Sequence, residues 1–238
     1  MSAMLAITYC FRFENGEVRE VLLRLDGDTL ALIPEGDVSP PFWTDISFRQ
    51  CRVCPLNPAT HPYCPVAVHL TRIVELFKDR LSSEKVRIEV SDSQRGYFKD
   101  ASLQSGLGPL MGIIMVSAGC PVMNPLRPMV RFHLPFASMK ETEFRTVSMY
   151  LMAQYFRARK GQAPDWSLEG LQQIYDRIRI VNKSFAERLR AASDKDAAVN
   201  AIVILDCFAK GVPIAARTAL REYERHFAVY CDEHSPLS

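Results

Sequence analysis

The chain has 238 residues, 48% of them hydrophobic and 24% charged, a globular composition that excludes a disordered or fibrous polypeptide. Lys plus Arg is 29 against 27 for Asp plus Glu, and a net charge of +2 sets up no molecule-wide field to recruit nucleic acid or an anionic membrane. No run reaches the ~18 apolar residues of a membrane span; the best, Leu110 to Ala118, is interrupted by Gly112 and Ser117.

Met1 to Phe13 alternates polar and apolar residues with no basic start, so no secretory signal is expected and the protein is read as cytoplasmic. Its seven cysteines are then expected to stay reduced and to serve as metal ligands, nucleophiles or buried thiols. Ile7, Tyr9, Phe11 and Phe13 recur at period two, Asn15-Gly16 suits a tight turn, and Val21, Leu23 and Leu25 resume the alternation, which predicts a β-hairpin. Asp26-Gly27-Asp28 offers a second turn, and Thr29 to Ile33 would complete a three-stranded meander. Pro34 to Pro41, with three prolines and a glycine, reads as an irregular connection and a domain boundary. It separates a β-meander domain over 1–36 from a cysteine-rich metal-site and helical-bundle domain over 42–238.

Beyond the cysteine segment, Leu70, Ile73, Val74, Phe77 and Leu81 follow helical spacing. Val86, Ile88 and Val90 return to period two, with a partner strand near Tyr97 and Phe98. Leu103 to Ala118 predicts a buried helix carrying Pro109, stopped at Gly119-Cys120-Pro121. Four amphipathic helices are expected in the C-terminal part. The first carries Phe144, Val147, Leu151 and Tyr155 and is capped by Gly161. The second carries Leu171, Ile174, Ile178, Val181 and Phe185. The third, Ala198 to Phe208, is closed by Gly211 and Pro213, and a fourth over Ile214 to Tyr230 turns Leu220, Tyr223 and Phe227 inward. Ser235 to Ser238 are expected to fray. The predicted class is α+β: an N-terminal antiparallel β meander, a cysteine-rich middle with a helix and short hairpin, and a C-terminal helical bundle.

Cys51-Arg52-Val53-Cys54-Pro55 and His61-Pro62-Tyr63-Cys64-Pro65, with His69 just beyond, place five thiol or imidazole groups within a short stretch. A Cys-x-x-Cys turn aims two sulfurs at one point, and soft thiolates hold iron or zinc strongly. Cys120, at a helix-to-loop break, is the distant candidate that completes Cys51, Cys54, Cys64 and Cys120. Three of these four precede proline, as is common at cluster-binding cysteines, and an iron–sulfur cluster for redox or sensing is the leading expectation. Zinc on Cys51, Cys54, His61 and Cys64 is the close competitor, a structural staple in a scaffold whose bundle meets a protein partner or a second copy. Buried thiols without metal are the plain alternative, and His69 is a substitute ligand or supporting donor. Cys10, Cys207 and Cys231 are expected to serve packing.

The meander, Cys51-x-x-Cys54-Pro55-Leu56, His61-Pro62-Tyr63-Cys64-Pro65, Gly119-Cys120-Pro121, Arg131-Phe132-His133-Leu134-Pro135-Phe136 and Tyr150-Leu151-Met152-Ala153-Gln154-Tyr155-Phe156 together resemble a group of bacterial proteins with no assigned function. That resemblance spans most of the chain and implies a bacterial, cytoplasmic protein of this architecture, without an activity. Gly119-Cys120-Pro121 is also similar to a cluster-ligand tripeptide in the iron–sulfur subunits of nickel–iron hydrogenases and respiratory complex I, which lends Cys120 plausibility as a ligand and no more.

Arg127, Arg131 and His133, with Lys140 and Arg145, gather basic groups that would hold a phosphate, a carboxylate cofactor or substrate, or an acidic partner if they converged. The plain reading is a solvated surface countered by Glu141 and Glu143. A cysteine-dependent enzyme with Cys120 as nucleophile and His133 as base is a third possibility. Ser105-Gly106-Leu107-Gly108-Pro109 lacks the lysine of a phosphate loop and reads as a turn into the buried helix.

Overall fold

The computed structural model describes residues 4–34, 36 and 39–231. Strands β1 (Leu5–Phe13), β2 (Val18–Leu25), β3 (Lys85–Ser91) and β4 (Gly96–Ser102) form one antiparallel sheet in the order β2-β1-β3-β4. The period-two residues account for its register. Tyr9 lies between Val21 and Val90, and Phe11 between Arg19 and Ile88, so that Ile7, Tyr9, Phe11, Phe13, Val21, Leu23, Val86, Ile88 and Val90 are all buried on one face. The sheet is built across the segment 34–41, where the sequence suggested a domain boundary: β1 takes β3 as its second neighbour. The third strand expected at Thr29 to Ile33 shrinks to a bridge between Leu25 and Leu32.

Helices α1 (Pro65–Phe77) and α2 (Leu103–Ser117) cover the buried face. Phe77 meets Phe11 edge to face at 5.1 Å. α2 presses closest at Gly106, where a Cβ would stand 2.7 Å from Phe11 Cε1 and 2.9 Å from Ile88 Cδ1. Its other side packs on α5 (Ala197–Glu224), and α3 (Met139–Arg159) and α4 (Glu169–Arg190) complete the bundle. The order is therefore sheet, then α1 and α2, then α3 to α5, with α2 buried between layers.

α4 buries Leu171, Ile178, Val181 and Phe185 as its spacing predicts. α3 does not follow its predicted stripe. Its inward residues are Glu143, Thr146, Val147, Tyr150 and Gln154, whereas Phe144, Tyr155 and Phe156 are exposed. Polar anchors explain this face: Gln154 Oε1 accepts from the backbone N–H of Asp165 at 2.9 Å, and the Tyr150 hydroxyl donates to Asp165 at 2.8 Å. α3 ends as expected at Gly161, whose φ is +72°. The stop predicted at Gly211 and Pro213 is absent, and α5 runs through both to Glu224. At Gly211 the Met139 side chain occupies the space of a Cβ, 2.7 Å away, so tertiary packing overrides the local breaker. Leu220 and Phe227, expected inward, are exposed; the fraying expected for Ser235 to Ser238 lies outside the described residues.

Candidate metal centre

Four of the cysteines arrive at one place on three pieces of chain. The segment from Phe42 to Cys64 folds back on itself, Asp45 bridging Tyr63, the Ile46 N–H donating to Pro62 at 2.9 Å and the Cys64 N–H to Thr44 at 2.8 Å. Within it the Cys54 N–H donates to the Cys51 carbonyl at 2.8 Å, closing the Cys-x-x-Cys turn. Cys64 is the N-cap of α1, with Pro65 in the first turn. Cys120 follows α2 through Gly119, whose φ of +90° reverses the chain. Its carbonyl then accepts from Met123 and Asn124 at 3.1 and 3.0 Å.

The thiols feel one another. Burial pushes Cys51 up to about 11, and the sulfurs of Cys64, Cys120 and Cys54 push it the same way. Cys64 and Cys120 are raised by burial too, each by a further cysteine neighbour, Cys120 for the first and Cys54 for the second. Against burial stand groups that favour thiolate: the Ser184 hydroxyl for Cys51, the N–H groups of Ala67 and Val66 for Cys64, and those of Met123 and Val122 for Cys120. Among the described residues no three His, Cys, Asp or Glu side chains are closed up around one point as a single ion would hold them.

α4 supplies the wall that the sequence did not reveal. Arg177, Ser184 and Arg188 share one of its faces at i, i+7 and i+11. Arg188 is 2% exposed. Its guanidinium donates to the Trp43 carbonyl and, at 2.7 Å, to the Asp45 carbonyl, between the rings of Phe48 and Phe185. Burial lowers its pKa, while Cys64, Cys51, Asp45 and Cys54 favour its charge, yet it forms no ion pair with a carboxylate among the described residues. Arg177 exerts the same cationic influence on Cys120. The only sequence signal was a basic residue sitting between Phe185 and Leu189 in an apolar stripe.

The remaining candidates are dispersed. His61 is exposed and hydrogen-bonds the Thr60 hydroxyl at 2.9 Å. His69 is half-buried on α1, its pKa lowered by burial. Arg127 pins structure instead of a ligand, donating to the Val116 carbonyl at 3.2 Å and to Asn124. Arg131 is exposed. His133 hydrogen-bonds the Tyr9 hydroxyl at 2.6 Å, and burial first, then Arg145, lowers its pKa to about 4. Cys10 is buried, as packing requires, whereas Cys207 and Cys231 are exposed.

No helix of the described residues is long and apolar enough to cross a membrane. No curated protein and no solved structure matches the chain. A family model described as a domain of unknown function (DUF6901) matches residues 7–228, and the chain belongs to that family.

Proposed function

We propose that Cys51, Cys54, Cys64 and Cys120 hold an iron–sulfur cluster used for redox or sensing. The observation that carries this reading is Arg188, a buried cation that forms no ion pair among the described residues and whose charge is favoured by three of the four cysteines together with Asp45. A buried charge without a close counter-charge costs several kcal/mol, and thiolates on a cluster would add to what Asp45 supplies. The donors facing the sulfurs of Cys51, Cys64 and Cys120 are of the kind that stabilise cluster thiolates. His61 is exposed and bonded to the Thr60 hydroxyl, whereas Cys51, Cys64 and Cys120 are each raised by a further cysteine, which favours four sulfurs over the Cys3His zinc set. Nucleophilic use of Cys120 is less well supported, since burial raises its pKa and the His133 ring nitrogen is engaged by Tyr9.

Serine replacements test the ligand set. After anaerobic expression, C51S, C54S, C64S and C120S should each lose more than half of the protein-bound iron and the visible absorption, while C10S, C207S and C231S retain both. Equal retention in all seven would remove the cluster reading, and stoichiometric zinc without iron would replace it by a structural staple.

A further inference from the structure

A second feature lies outside the cysteine group. Between α2, α3, α4, α5 and the loop 123–137 is a cavity of about 350 Å³, at the small end of the ~300–1,000 Å³ that ligand sites occupy. Its body is apolar, lined by residues such as Ile113, Leu134 and Ile178. Its polar lining includes Lys99, Arg145 and His133. Arg145 is held there by its own bonds, one terminal nitrogen donating to the carbonyls of Phe132 at 2.6 Å and Met129 at 3.1 Å. Asn182 also lines it, 2% exposed, with its Oδ1 buried and without a hydrogen-bond partner. Asn182 follows Tyr175, another wall residue, by seven positions on α4, about 10 Å along the helix axis. The described lining contains no Asp or Glu.

Lys99 and Arg145 border an apolar chamber whose described lining holds no carboxylate, Glu141 acting on Arg145 from outside it, and such a pair of cations attracts an anion. We propose that this cavity binds a small molecule with an apolar body and a carboxylate end, the carboxylate meeting Lys99 and Arg145 and the body filling the apolar chamber. A medium-chain fatty acid has this chemistry. The site is independent of what the cysteines hold, although Met123 borders both.

Calorimetric titration of the full chain with decanoate, and in parallel with its uncharged methyl ester, tests the proposal. Decanoate should bind saturably at one per chain and at least tenfold more tightly than the ester. K99M, at an exposed position on β4, should weaken decanoate at least fivefold and leave the ester unchanged. L134W, which fills the chamber from its loop wall, should abolish binding of both while thermal unfolding stays cooperative. Absence of saturable binding, an ester as tight as the acid, or decanoate binding untouched by both variants would overturn it.

Discussion

Arg188 and His133 are both taken out of water, and each makes a prediction at its own scale. Arg188 sits among carbonyls and thiols, so its loss should be felt by whatever the cysteines bind. R188Q should lower the iron retained per chain by more than half and make the reduction potential of any remaining cluster more negative, because a cation nearby stabilises the more negative, reduced state. R190Q, changed at an exposed neighbour, should do neither; equal iron in R188Q and wild type would detach Arg188 from the site. His133 is neutral in the folded protein, with a pKa of about 4 against an ordinary 6.5. In the unfolded chain it takes up a proton as pH falls below 6.5, so its contribution is complete above that value and is lost as pH falls toward 4. The loss amounts to about 3 kcal/mol. Urea titrations at pH 7 and pH 4.5 should show a smaller difference for H133F than for the wild type.

At the scale of elements, the glycines of α2 separate close approach from mere tolerance. A Cβ at Gly106 would strike Phe11 and Ile88, whereas one at Gly108 meets Ile204 at 3.6 Å and the Ala201 carbonyl at 3.7 Å, both ordinary contacts. G106A should therefore destabilise by about 1–3 kcal/mol, and G108A should be neutral or stabilise by up to about 1 kcal/mol through helix propensity. Urea denaturation of the two variants, with opposite signs expected, checks the packing order. β1, β2, β3, α1 and α4 were legible because a single apolar period governs each, and α2 because its apolar run is too long for a strand. α3 was not, because hydrogen bonds of Tyr150 and Gln154 to the segment at Asp165 decide which face turns in, and a hydrophobic pattern does not record them. The continuous α5 was hidden likewise, since Met139 fills the space over Gly211 from another helix.

For the whole molecule, the cysteine motifs could be read from spacing and from the prolines after them, but their meeting could not. Cys120 reaches Cys51, Cys54 and Cys64 only because α2 crosses the sheet and ends at Gly119 beside the folded loop 42–64. The cation that favours their charged form comes from α4, more than a hundred residues beyond the Cys-x-x-Cys turn. A site assembled from such distant segments binds as part of folding, and loading it converts raised thiols to thiolates with release of protons. In metal-free protein at pH 7.5, Cys51, Cys64 and Cys120 should accordingly be alkylated by iodoacetamide more slowly than the exposed Cys207 and Cys231, as read by mass spectrometry of the peptides. The same assembly makes metal loading the most direct test of the account. Elemental analysis with acid-labile sulfide and a visible spectrum, on wild-type protein purified without oxygen, should find iron and sulfide together in brown protein. Colourless protein containing neither iron nor sulfide would contradict it.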